Sequence, residues 1–270
     1  MRALKSAFLR CVISVLPVKR NAVAVTFHNI PSEYYGWFRE MINHIDQRFG
    51  FLKPTDIDGG STNSTGVLLT FDDGFASNRH VAESVLQPKG IKALFFVANG
   101  FVGLAPTAAR KFAQKNIYTK RSLNKADGCM DAMNWDDVRW LASQGHQICA
   151  HTYNHVALSE LTSDRKQAEI VEATELLEKK LGNSVRGFAY PFGSLASIDK
   201  ETINLTRKRF DFAFSNVRGS INESPCCHFL YRQNIVPGSP LWMVDAVIEG
   251  RIDWIYRTVR SEAKNRFHLE

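Results

Sequence analysis

The stretch Gly66–Phe75, GVLLTFDDGF, decides how this chain is read. Val67, Leu68, Leu69 and Phe71 form an almost unbroken apolar run, the pattern of a buried strand. The run ends in two adjacent carboxylates, Asp72 and Asp73. Like charges side by side cost free energy unless a cation or hydrogen bonds offset them. Asp73-Gly74 is a common turn dipeptide, which accounts for one aspartate but not for both. The other reading is a site at the end of a strand, with one carboxylate as metal ligand and its neighbour as base. On this segment alone both readings stand.

Around it, strand-like and helix-like segments alternate. AVAVTFHN (22–29) is an apolar, β-rich run ending at His28. GWFREMINHIDQRFG places Trp37, Met41, Ile45 and Phe49 at helical steps, and Gly50 ends it. NRHVAESVLQPKG reads as a helix stopped by Pro88 and Gly90, and IKALFFVA as a buried strand. Residues 100–133 have weak periodicity and read as an insertion with some helix. NWDDVRWLASQG is a helix that Asn134 can cap. HQICA is a short strand running into His151, and SDRKQAEIVEATELLEKKLG is the clearest helix. VRGFAYPFG, FDFAFSN and FLYRQNIV read as later strands. Such alternation implies a parallel sheet with crossover helices, either barrel-like or doubly wound. In both, ligand sites gather at the C-terminal ends of strands. His28, Asp72, Asp73, His151 and the YPFG turn all fall there.

The chain has 270 residues, 44% of them hydrophobic, which suits one large α/β domain. Its net charge of +7 favours anionic partners without demanding them. No nucleic-acid motif is present, so nucleic acid is not expected as a partner. The five cysteines are odd in number and include no C-x-x-C pair, which points to a reducing compartment. Residues 1–20 are basic at both ends with an apolar middle. They make a poor signal peptide and are too short to span a bilayer. Ala7, Phe8, Val12, Ile13 and Leu16 form one face of a short helix that either lies on a membrane or packs on the domain. The expected organisation is this N-terminal segment, a catalytic domain over 21–250, and a basic helix or tail over 251–270. The expected location is cytoplasmic, either free or associated with the inner face of the membrane.

The second chemical feature is HTYNH, His151–His155. Its two imidazoles share one face if the segment makes a helical turn, and both then reach one cation. The missing glutamate of an HExxH motif argues against a zincin. One Asp and two His suit Zn²⁺ or a similar divalent ion, and three protein ligands leave a position for water. A metal lowers the pKa of such a water from 15.7 towards about 7, and a second carboxylate can accept the proton.

TFDDG, HTYNH and FAYPFG, in this order and spacing, resemble the polysaccharide deacetylase family, carbohydrate esterase family 4. The resemblance runs from roughly Ala22 to Pro237. It implies a distorted, incomplete (β/α) barrel, an α/β fold. It also implies a metal-dependent hydrolase that removes acetyl groups from sugars. By position, Asp72 matches the general base, and Asp73, His151 and His155 match the metal ligands. Thr152 matches the hydroxyl residue between the histidines, and Phe192 a residue whose N–H helps hold the oxyanion. His28 falls near the site and is the candidate acid. Tyr153 and Tyr190 are candidates to stack on a sugar. Two departures stand out. The arginine that many members carry in the third motif is Ala189 here, and the Tyr-Pro-Phe-Gly form resembles the branch of exopolysaccharide N-deacetylases. The late histidine that often serves as acid is also missing. Arg232 lies on that late strand and is expected to supply positive charge near Asp72 or to grip an anionic substrate, with little effect on stability. The expected cofactor is one divalent ion, zinc first, with Co²⁺, Ni²⁺ or Mn²⁺ as alternatives. The expected substrate is an N-acetylated sugar, lipid- or nucleotide-linked. The alternatives are an O-acetyl esterase and a carbohydrate-binding protein that kept the fold without catalysis.

Overall fold

The computed structural model describes residues 13, 16–18, 21–57, 59, 62–118 and 130–269. Ala7, Phe8 and Val12 of the expected N-terminal helix, and Cys11 and Cys129, lie outside the described residues. Seven strands make one parallel sheet: β1 (Ala22–Phe27), β2 (Gly66–Phe71), β3 (Ala93–Val97), β4 (Gln147–Ala150), β5 (Gly187–Ala189), β6 (Phe212–Phe214) and β7 (Gln233–Asn234). Their order is β6-β5-β4-β3-β2-β1-β7, each pair parallel.

Alternation along each strand separates two cores. Val23, Val25 and Phe27 of β1, with Val67, Leu69 and Phe71 of β2, pack outward against the helices. Ala22, Ala24 and Leu68 face inward with Phe96, Phe212 and Phe214. Both faces are covered, which is why these strands read as unbroken apolar runs.

The outer layer is built from α1 (Tyr35–Arg48), α2 (Ala76–Val81), α3 (Pro106–Phe112), α4 (Trp135–Ser143), α5, α6 (Lys200–Arg209), α7 (Leu241–Ile248) and α8 (Arg257–Phe267). Helix α5 runs through Ser163–Gln167, a π-helical turn at Ala168–Glu172, and Ala173–Leu181. Asn134 caps α4 in a reciprocal capping box with Asp137, as its sequence suggests. The insertion has an apolar cluster of its own, in which Phe75 meets Phe101, Ala109, Ala113 and Met130. Helix α8 is not a loose tail: Ala263 and Phe267 join the main core, and the Phe267 ring meets Phe229 at 5.5 Å.

FLYRQNIV departs from a simple strand. Leu230 bridges Phe214 at the end of β6, and Gln233–Asn234 then pair with β1 at the opposite side of the sheet. A few residues therefore reach from one edge of the curled sheet to the other. The result is the incomplete (β/α) barrel, with Arg232 at its seam.

Candidate active site

Strand β2 delivers the two carboxylates in different directions. The Asp72 N–H still donates to Phe27 O, continuing the ladder, and the chain then turns sharply. Asp73 has φ 75° and Gly74 φ 102°. A side chain at Gly74 would meet Val102 at 3.1 Å, so the turn dipeptide is required for both conformation and space. The turn and the site are one feature.

His151 and His155 converge on Asp73. Their Nε2 atoms lie 3.6 and 3.2 Å from Asp73 Oδ1. The expected helical turn is absent. HTYNH is an irregular loop in which Thr152 (φ 64°) and His155 (φ 51°) are left-handed, and the Thr152 hydroxyl accepts the His155 N–H at 3.0 Å. Non-glycine residues with positive φ are uncommon, and each costs on the order of 1–3 kcal/mol. Five occur among the described residues, and four of them, Asp73, Thr152, His155 and Phe192, belong to this site.

Donor chemistry tests whether a cation fits. His151 Nδ1 lies 2.7 Å from Ala189 O, and His155 Nδ1 lies 2.8 Å from Asn116 O. A carbonyl only accepts, so each Nδ1 carries the proton and each neutral Nε2 presents a lone pair. Burial lowers both imidazole pKa values, that of His151 to about 3, which keeps them neutral. Both Asp73 carboxylate oxygens are buried without a hydrogen-bond donor. With Asp73 ionised, two lone pairs and a carboxylate face one another, their ligand atoms all within 4.8 Å. An acceptor-only cluster of this kind fits a divalent cation. Burial, with the Asp72 charge adding to it, pushes the Asp73 carboxyl up to about 7.

Asp72 has the opposite surroundings. Arg232 Nη1 and Nη2 donate to its two oxygens at 2.8 and 2.9 Å, a bidentate pair inside the barrel. The same guanidinium donates to Ser215 O and to the Thr26 and Thr70 hydroxyls, between the rings of Phe96 and Phe214. Burial alone would raise the Asp72 pKa, but Arg232 foremost, with smaller contributions from His151 and His28, outweighs it and holds the group at about 2. Arg232 is 1% exposed, so its guanidinium is not open to a substrate from solvent and its charged partner is Asp72. The third motif has Ala189 instead of an arginine, and the guanidinium beside Asp72 comes from the barrel seam.

His28 Nε2 lies 3.9 Å from Asp72 Oδ2, with about a third of its side chain open to solvent. The Phe192 N–H has no acceptor among the described residues, and its ring packs on His155 at 4.7 Å. Tyr153 is 42% exposed and remains available to a ligand. Tyr190 is a correction: its ring is fully buried and its hydroxyl is bonded to Thr206 and to His228 O, so it cannot stack on a sugar. Sequence reading also missed Glu169, whose carboxylate holds the HTYNH loop, and Asn116, whose carbonyl orients His155. Both lie outside any motif.

Residues 59–209 match the family model described as polysaccharide deacetylase. YxkH of Bacillus subtilis, whose name places it with the polysaccharide deacetylases, is 24% identical over 173 residues. That match covers 64% of this chain and 52% of YxkH, so the chain spans about half the length of this relative. Among solved structures, IcaB from Ammonifex degensii superposes with a TM-score of 0.65 at 23% identity, over 87% of this chain and 100% of that one. The Streptococcus pyogenes deacetylase PplD, solved with acetate, gives 0.62 at 19% identity, over 86% and 99%. At these identities the structures speak for the fold, while the family match covers more than half of the sequence, including Asp72, Asp73, His151, His155 and the YPFG turn. The chain belongs to the polysaccharide deacetylase family.

Proposed function

We propose that the chain is a metal-dependent carbohydrate N-deacetylase that hydrolyses an N-acetylhexosamine to acetate and an amino sugar. The observation that carries this reading is the acceptor-only cluster of Asp73, His151 and His155 beside the arginine-clamped Asp72. Asp73, His151 and His155 would hold the ion, with zinc the first candidate from the two-imidazole donor set. The Arg232 clamp makes Asp72 a weak base, and a bound ion compensates by lowering the pKa of water towards about 7.

The chain's own groups divide the remaining work. Water adds to the acyl carbon as Asp72 accepts its proton. The Phe192 N–H, in a left-handed turn and without an acceptor among the described residues, is the candidate donor to the developing oxyanion. His28 is the candidate donor to the departing nitrogen as the C–N bond breaks. Tyr153 flanks the site as a surface on which a sugar ring can stack. The basic surface favours a substrate on a phosphate-bearing carrier, either lipid- or nucleotide-linked. The cytoplasmic, membrane-adjacent setting expected for residues 1–20 belongs to the same proposal.

The test is acetate release from a panel of N-acetylhexosamine conjugates by zinc-loaded protein, with metal content measured in parallel. Asp72→Asn should keep the metal and lose about 10²–10⁴-fold in turnover. Asp73→Asn should lose the metal itself. A wild type that neither retains a divalent ion nor releases acetate from any conjugate refutes the reading.

A further inference from the structure

Helix α5 does not continue regularly behind the site. It opens into a π-helical turn at Ala168–Glu172, and such turns are frequent at functional sites. Glu169 sits in that turn and is 3% exposed. Its Oε2 accepts the backbone N–H groups of Tyr153 and Asn154 at 3.0 and 2.8 Å, and its Oε1 accepts from Asn154 Nδ2 at 2.5 Å. All three donors are neutral N–H groups on the two residues enclosed by Thr152 and His155. The loop is gripped from its other side as well. Asn99 N donates to Thr152 O and Gly100 N to Tyr153 O, while Asn99 Nδ2 donates to Ala173 O on α5, next to the π-helical turn. The contact at Gly100 is tight: a Cβ there would come within 2.7 Å of Tyr153 O.

The loop needs such a clamp. Left-handed backbone at Thr152 and His155 is disfavoured and persists only where the surroundings over-determine it. Relaxing either residue would swing one imidazole away from Asp73. The Thr152 hydroxyl accepts the His155 N–H from within the loop, and Glu169 accepts the two N–H groups before it from outside the loop.

We propose that Glu169 is the positioning residue of the metal centre: its buried carboxylate fixes the strained HTYNH loop so that His151 and His155 converge on one ion. Glu169 touches neither histidine side chain and acts through the peptide groups between them. The inference rests on the proposed metal site but goes beyond its ligands.

The amide of Gln separates hydrogen-bond geometry from charge. In Glu169→Gln the amide oxygen can accept both backbone N–H groups, and Asn154 can turn its own amide to accept from the new NH₂. Glu169→Ala removes every acceptor. The experiment is zinc affinity of metal-stripped full-length protein, measured by competition with a chromophoric chelator, beside the melting temperature of the metal-free forms. Glu169→Ala should bind zinc about 10–100-fold more weakly than wild type, the usual effect of losing a group that orients a ligand. Glu169→Gln should stay within about threefold. Should the alanine variant not fold, Glu169→Asp, one methylene too short, reads the same loss. Zinc affinity unchanged in the alanine variant, or in the aspartate variant standing in for it, would overturn the proposal whatever the melting temperature does. An equal loss in the glutamine and alanine variants would overturn it too, by making charge rather than geometry the cause. A wild type that binds no zinc would instead refute the metal site itself.

Discussion

At the residue scale, two neighbouring aspartates acquire opposite properties from what surrounds them. Asp72 is held at about 2 by a bidentate arginine, while burial without a donor lifts Asp73 to about 7. Arg232 is therefore a structural partner of the buried Asp72. Its removal strands a buried carboxylate, so Arg232→Ala should cost about 3–5 kcal/mol of stability, contrary to the small effect expected of a surface arginine. The double variant Asp72→Asn/Arg232→Met should recover most of that loss and none of the activity, as denaturant titration and acetate release would show. His28 is tested by leaving-group chemistry. His28→Gln should slow an amide substrate far more than an activated aryl acetate, whose leaving group needs little protonation. Equal slowing of both would exclude His28 as the acid.

At the scale of elements, the site is an assembly of turns at the ends of β1, β2, β4 and β5, and the backbone is more demanding there than the side chains. Gly193 follows the left-handed Phe192, and a Cβ on it would lie 2.4 Å from Asn216 N. Gly182 closes α5 with a similar φ of 73° but has open space around it. Gly182→Ala should cost about 1 kcal/mol, the ordinary conformational penalty, and leave activity intact. Gly193→Ala should cost more and also lower turnover, because relief of the clash moves the Phe192 N–H. Equal effects of the two substitutions on stability and rate would show that the third-motif turn tolerates displacement.

For the whole molecule, the charges of the Asp73–His151–His155 cluster couple folding to pH. The Asp73 carboxyl keeps its proton up to about 7 in the metal-free fold, against an ordinary value of 3.8. Between those limits the folded chain binds more protons than the unfolded one, so this group lowers stability as pH rises through the window. The two histidines act in the other direction. They are neutral when folded, so their contribution is lost as pH falls below about 6.5, their ordinary range. Zinc must displace the Asp73 proton at pH 6 but not at pH 8. The zinc-induced rise in melting temperature should therefore be larger at pH 8 than at pH 6. The same rise at both values would mean that Asp73 is already ionised in the metal-free fold.

The sequence by itself determined the alternating elements and a parallel α/β sheet, because strands covered on both faces must be apolar throughout and crossover helices must be amphipathic; the choice of a barrel came from the resemblance of its motifs. It also determined the motif residues, since Asp72, Asp73, His151 and His155 lie in short segments whose chemistry has no use in a core. What it could not carry were partners brought together by closure of the sheet. Arg232 is 160 residues from Asp72 and meets it only because residues 230–234 reach both edges of the barrel. Tyr190, beside the third-motif turn in sequence, points into the core instead. The histidine pair has helical spacing but no helix, because Glu169 and Asn99 hold its backbone in a conformation that local preference disfavours. Local pattern reports which groups must be near a strand end; only tertiary packing decides which of them touch, since that depends on long-range closure that no short window of sequence contains.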